Sequence, residues 1–168
     1  MNRILSSIAV ALLVFIAYIV FSGSLSTYDL LTAIITSVVI GGLTGTLVVS
    51  NPYKAFNPFR MVYAIIYFFR YMLINEVKAH TDVIKRILHP KMPINPGIVK
   101  VPYHVKSDYA MTLIANSITN TPGTVVVDID RKDKCFFVHW IDVKTLEPEK
   151  ARMHISKVFE HYSKKIFD

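Results

Sequence analysis

Cysteine is almost missing from this sequence of 168 residues. Cys135 stands alone, so no disulfide framework forms within the chain, and a lone thiol fits a C-terminal domain in a reducing compartment. Charge is missing over a long stretch. Of the 19 Lys and Arg and 12 Asp and Glu, only Arg3 and Asp29 fall in the first fifty residues, and both lie outside the two apolar runs there, Ile4–Phe21 and Leu30–Val49. Those runs hold no carboxylate and no lysine. Proton and cation paths through membranes usually depend on such groups, so the chain is not expected to conduct ions by itself. Metal and nucleophile motifs are missing as well. The histidines are 80, 89, 104, 139, 154 and 161, and His154 and His161 stand seven apart, not at the i,i+4 spacing of a helical zinc pair. His139 lies beside Trp140, with Asp128 and Asp130 in the preceding run, but no nucleophile sits in a recognisable motif, so packing or a structural hydrogen bond is its expected role. Gly41-Gly42-Leu43-Thr44-Gly45 lies inside an apolar run and is no phosphate loop. We expect no catalytic residue, no cofactor, no metal, and no small-molecule substrate bound by this chain alone. The Lys and Arg are scattered without a binding motif, so nucleic acid is not an expected partner.

What is present is a membrane segment. Each run is about 20 residues, the length a helix needs to cross a bilayer core of roughly 30 Å. Residues 1–50 therefore read as a transmembrane hairpin with a tight turn over Ser22–Asp29. A secretory signal over Met1–Phe21, with Ser22-Gly23-Ser24 as cleavage site, is the competing reading. The thin charged start, the long first run and the close second run favour an uncleaved hairpin. Gly41 and Gly45, four apart, share one helix face and allow close backbone approach, either to the first helix or to another subunit.

Asn51-Pro52 and Asn57-Pro58 set helix boundaries, because the residue before proline is pushed out of the helical region. Phe59–Leu88 is amphipathic. Arg60, Arg70, Asn75, Lys78, Thr81, Asp82, Lys85 and Arg86 fall on one face, with Tyr63, Tyr67 and Tyr71 on or beside it. Val62, Ile65, Phe69, Met72, Leu73, Val83, Ile84 and Ile87 fall on the other, and Glu76 and His80 break the pattern. Residues 51–96 thus read as an in-plane interfacial helix followed by a stiff linker, with Arg60, Arg70, Lys78, Lys85 and Arg86 as candidate contacts to the membrane surface or a partner. The window Met61–Ile74, apolar except for Arg70, leaves a third span open. Seven Lys and Arg against two acids over residues 54–91 place this side in the cytoplasm. The expectation is a multi-pass protein of the cell membrane with a cytoplasmic C-terminal domain.

Residues 97–168 read as a small α+β domain of order β-α-β-β-α: strand Gly97–Tyr103, a helix over Asp108–Ile118 capped by Ser107, a hairpin of Thr124–Asp130 with Cys135–Asp142, and a helix from Pro148 to about Phe167. Between helix and hairpin, Thr121-Pro122-Gly123-Thr124 has the residues of a type II turn, with Pro122 fixing φ and Gly123 free to take positive φ. The turn either only connects helix to strand or serves as a docking loop. Two helices on three strands make a marginal lone domain, to be steadied by partners.

The strings Pro96-Gly97-Ile98-Val99, Ala115-Asn116-Ser117-Ile118-Thr119-Asn120-Thr121-Pro122-Gly123-Thr124, Val127-Asp128 and Val138-His139-Trp140-Ile141-Asp142 resemble the E subunit of the multi-subunit Mrp-type sodium/proton antiporters. The two N-terminal runs and the Arg-bearing third helix with its Pro-rich exit fit the same pattern. Asn120 departs from it, standing where an apolar residue is expected. The resemblance implies an accessory, non-catalytic membrane subunit of a cation/proton antiporter module. Its partners would be the other subunits and membrane lipids. Related subunits also occur in membrane-bound hydrogenase and sulfur-reducing complexes, where the module joins a redox arm. The alternative is a stand-alone membrane-anchored module that binds anionic lipid or an acidic protein.

Overall fold

The computed structural model describes residues 3–49 and 51–168; Met1, Asn2 and Ser50, at the ends of the expected hairpin segment, lie outside the described residues. The chain divides into two compact units, Met1–Pro58 and Phe59–Asp168.

In the first unit the apolar runs form α1 (Arg3–Ser22) and α2 (Thr27–Val48), the two helices among the described residues that are long and apolar enough to cross a membrane. Gly23, at φ +63°, ends α1, and its N–H donates to the Ile19 carbonyl. α2 starts three residues ahead of its apolar run because Ser26 caps it, accepting from the Asp29 N–H. The Asp29 carboxylate in turn accepts from the Ser24 and Ser26 hydroxyls at 2.5 and 2.7 Å. The helices meet through small residues: Ser6, Ala33, Ser37, Gly41 and Gly45 are buried, while Leu13, Val20, Leu43 and Leu47 point outward. Small inside and large apolar outside is the reverse of a water-soluble pair and suits a hydrocarbon surround. A one-turn helix, α3 (Pro52–Ala55), follows, capped by the Asn51 side chain.

The second unit opens with one long helical run: α4 (Pro58–Arg70), a π-helical turn over Tyr71–Glu76, and α5 (Val77–Leu88). A three-stranded antiparallel sheet follows, β1 (Gly97–Pro102), β2 (Thr124–Asp130) and β3 (Cys135–Trp140), in the order β1-β3-β2. Three helices accompany it: α6 (Asp108–Asn120), α7 (Pro148–Ile155) and α8 (Lys157–Phe167). Strand alternation sends Val99, Val101, Phe136 and Val138 into the core with Ile114 and Ile118 of α6. Ile98, Val125 and His139 lie in one cross-strand row on the open face. A bulge between Val126 and Asp128 bends the β2 edge, which blunts pairing by another strand.

One expectation is corrected, and two further segments find their place. The C-terminal helix is two helices, broken at Ser156, whose hydroxyl bonds back to the Arg152 carbonyl at 3.4 Å. The break lets α7 lie on β1 while α8 turns onto α6. The amphipathic segment packs on the domain: Tyr67 and Tyr71 are buried in the same core as the sheet, and the run beyond Pro58 groups with the second unit. The stiff Pro-rich linker is stitched to the sheet domain. Asn95 pairs with Asp142 in a parallel bridge, donating its N–H to Ile141 at 3.0 Å and accepting from the Val143 N–H at 2.8 Å.

Candidate functional site

The Asn-Ser-Ile-Thr-Asn-Thr-Pro-Gly-Thr string folds into the joint between the long helix and the sheet domain. Tyr67 and Tyr71, one turn apart, present their rings to α6 and α8. Their centroids stand 5.9 Å apart, Tyr67 is 5.4 Å from Tyr162, and Tyr71 is 5.9 Å from Phe159. A buried tyrosine hydroxyl needs a polar partner, and the string supplies them. The Tyr67 hydroxyl hydrogen-bonds the Ser117 hydroxyl. The Tyr71 hydroxyl reaches the Ser117 carbonyl at 3.4 Å and the Thr121 hydroxyl at 3.3 Å, and accepts from the Asn120 amide at 3.2 Å. Asn120, the departure from the expected pattern, therefore has a contact in this chain. Burial raises the Tyr67 phenol to about 12, against the lowering effect of its bond to Ser117, so this hydroxyl stays protonated near neutral pH.

The Thr121–Thr124 turn closes the same joint. The Thr124 N–H donates to Thr121 at 3.3 Å across the turn, and the Thr124 hydroxyl donates to the Ile118 carbonyl at 2.7 Å. Gly123 sits at φ +93°, its carbonyl accepting from the Ile141 N–H at 2.9 Å. A Cβ there would stand 3.0 Å from Ile141 Cγ2 and 3.6 Å from Val83 Cγ2 of α5. The turn thus meets the long helix of its own chain.

Of the five basic residues expected to meet a membrane surface or partner, two are engaged within the unit. Arg60 donates to the Ile166 carbonyl at 2.7 Å, at the negative end of the α8 dipole. Arg86 grips Asp82, Asp142 and the Pro93 carbonyl at 2.8, 2.8 and 2.7 Å. Lys144 and Arg86 hold the Asp142 carboxyl below its ordinary range, against the opposing effect of burial. The engagement has one cause: the face carrying the tyrosines also carries these arginines, and the sheet domain occupies that face. Arg70, Lys78 and the Thr121–Thr124 turn come together instead, lining a cavity of about 410 Å³. Lys85 is exposed and lies outside that cavity. Gly41 and Gly45 press on α1, where added Cβ atoms would stand 2.6 Å from the Ser7 carbonyl oxygen and 2.5 Å from Ser7 Cα. Sequence reasoning missed Tyr67, Tyr71 and Ser117 as partners. The available signal was tyrosine recurring every four residues, at 63, 67 and 71, on a helix that faces something.

The geometry offers docking surfaces and, among the described residues, no assembled catalytic group. His139 lies exposed between Ile98 and Val125, while Asp130 accepts the N–H groups of Lys132 and Asp133 in the hairpin turn. Cys135 is fully buried, and burial raises its thiol, which makes it a small core residue. The sequence profile of the family described as Na+/H+ ion antiporter subunit matches residues 11–166. The chain belongs to the E-subunit family of Na+/H+ antiporters. Among curated members of the family, the E subunit of the Na(+)/H(+) antiporter of Alkalihalophilus pseudofirmus is 40% identical over 94 residues, 56% of this chain. The E1 subunit of the Staphylococcus haemolyticus Na(+)/H(+) antiporter is 36% identical over 91 residues, 54% of this chain. The chain spans just over half the length of these two curated relatives, 57% of each. A chain in the structure of the membrane-bound sulfane sulfur reductase, an archaeal respiratory membrane complex, is 33% identical, with a TM-score of 0.85 over 99% of this chain and 100% of that one.

Proposed function

We propose that the chain is an accessory, non-catalytic subunit of a cation/proton antiporter-type membrane complex. In this reading α1 and α2 cross the cell membrane as a hairpin, the second unit lies on the cytoplasmic side, and the chain holds neighbouring subunits together without carrying ions. The observation that carries the proposal is the likeness, over the full length of both chains, to a component of a respiratory membrane complex. Two further observations support it. The candidate spans contain no carboxylate or lysine on which ion transfer could run, apart from Asp29 in the first turn of α2. The outer faces of the spans and of α4 expose large apolar side chains, a surface that needs lipid or protein cover.

A mild-detergent pull-down of the tagged chain, with co-purifying proteins identified by mass spectrometry, tests this reading. Recovery of large antiporter-like membrane subunits is the expected result, and iron–sulfur or nickel-site partners would place the module in a redox-driven complex. A stable lone species would overturn the assembly role.

A further inference from the structure

The cavity beside the Thr121–Thr124 turn is a binding site in its own right, and the geometry points to an anion of the phosphate type as its ligand. It lies within the second unit, between the π-turn region of the long helix and the Trp140 end of the sheet domain, with about 410 Å³ of space. Its long-helix wall presents three cationic or neutral hydrogen-bond donors, Arg70, Asn75 and Lys78. The Arg70 guanidinium is held about 6.0 Å from the Tyr162 ring centroid, and its Nε is one of only two buried side-chain polar atoms without a partner among the described residues. No hydrogen bond or ion pair ties down Arg70, Asn75 or Lys78 among the described residues. Asp82 is the only carboxylate in the described lining, and Arg86 already holds it through Nε and Nη2 at 2.8 and 3.2 Å.

The wall therefore carries two uncompensated positive charges and an amide, and the rest of the lining includes apolar Trp140, Met153 and Phe159 with the His154 ring 5.9 Å from Trp140. A guanidinium, an ammonium group and a neutral amide donor lining one cavity suit an oxyanion better than an apolar ligand. Two sources share that chemistry, the phosphodiester of an anionic lipid headgroup and free inorganic phosphate. The site needs only this chain and does not depend on membership of a complex.

The test uses the full chain in mild detergent. Inorganic phosphate is titrated against chloride at matched ionic strength while thermal unfolding is followed by Trp140 fluorescence. Separately, phosphatidylglycerol or phosphatidylcholine is added and lipid adducts are counted by native mass spectrometry. Lys78→Gln, Arg70→Gln and, as a charge-matched control in the β2–β3 turn, Lys132→Gln are compared with the parent. Loss of one charge-assisted contact is expected to weaken binding about tenfold in Lys78→Gln and Arg70→Gln, leaving Lys132→Gln unchanged. Lys78 is exposed, so its variant keeps the test open if Arg70→Gln fails to fold. Stabilisation by phosphate that Lys78→Gln abolishes assigns the free ion. Phosphatidylglycerol adducts that Lys78→Gln loses, without a phosphate effect, assign the lipid headgroup. Binding of neither probe, or equal binding by the parent, Lys78→Gln and Lys132→Gln, overturns the site.

Discussion

Gly123 concentrates the demands of the joint in one residue. Its φ of +93° is costly for any residue with a Cβ, and the added carbon would press on Ile141. Gly123→Ala should therefore destabilise the second unit by about 1–3 kcal/mol, read as a lowered thermal midpoint of Trp140 fluorescence in the full chain. An unchanged midpoint would mean that the turn relaxes freely and does not hold α5 to the sheet. The turn itself was legible in the sequence, because Pro then Gly between two threonines leaves few other conformations. What the turn touches was not legible. Tyr67 and Tyr71 sit about fifty positions from Ser117 and Thr121, and no local pattern reports a pairing at that distance. The bonds that Arg60 and Arg86 make within the unit were illegible for a related reason. Helical periodicity assigns Arg60 and Arg86 to a polar face, but it cannot tell whether water, head groups or another part of the same chain covers that face.

At the scale of elements, most boundaries followed from caps and prolines: Ser107 opens α6 and Pro148 opens α7, at the positions expected. The break at Ser156 was hidden, because the apolar spacing runs through it and only the two different surfaces under α7 and α8 require a bend. Charge fastens this corner. Glu160, on α8, is almost fully buried and receives Lys164 at 2.6 Å and Arg152 of α7 at 3.3 Å, with His104 at 3.5 Å. Burial alone would raise this carboxyl above its ordinary 4.5, but the Lys164, Arg152 and His104 interactions outweigh burial and hold it lower. The folded chain then binds fewer protons than the unfolded chain in acid. Its contribution is complete above the unfolded value and is lost as pH falls through about 4.5 toward the depressed folded value. Glu160→Gln should flatten that acid limb in urea midpoints measured from pH 7 downward; an identical acid limb in parent and variant would remove Glu160 as its source. The α1–α2 contact makes a different prediction. A leucine at Gly45 has no room against Ser7, so Gly45→Leu should cost about 1–3 kcal/mol or more of packing. Engineered-cysteine cross-linking between α1 and α2 reads it as a lower yield, whereas Gly42→Leu, which meets no neighbour, should leave the yield intact.

For the whole molecule, the question raised by the long helix is what covers its second face. Tyr63, Tyr67 and Tyr71 face their own domain, and Lys165 lies over the Tyr63 ring at 4.5 Å. That leaves Val62, Ile65, Phe69, Met72, Leu73, Ile84 and Ile87 exposed within the second unit, with Leu73 at 66% and Phe69 at 56% exposure. An apolar stripe of this length along one helix, backed by a folded domain on the other side, is how an in-plane membrane helix would be mounted. A third span would have to place the domain-facing tyrosines, Arg60 and Arg70 in hydrocarbon as well, or carry the domain's flank in with them. The two arrangements put position 69 at different depths. In a Trp140→Phe background, Phe69→Trp makes that position the sole tryptophan of the chain, and lipids brominated at successive acyl positions report its depth in reconstituted vesicles. The in-plane reading requires strong quenching by bromines near the head groups that fades toward the bilayer centre, while Trp140 in the parent chain stays much less quenched. Quenching that peaks at the centre would move the segment into the membrane as a span. Quenching no stronger than that of Trp140 would take the stripe away from lipid altogether and leave a neighbouring protein as its cover.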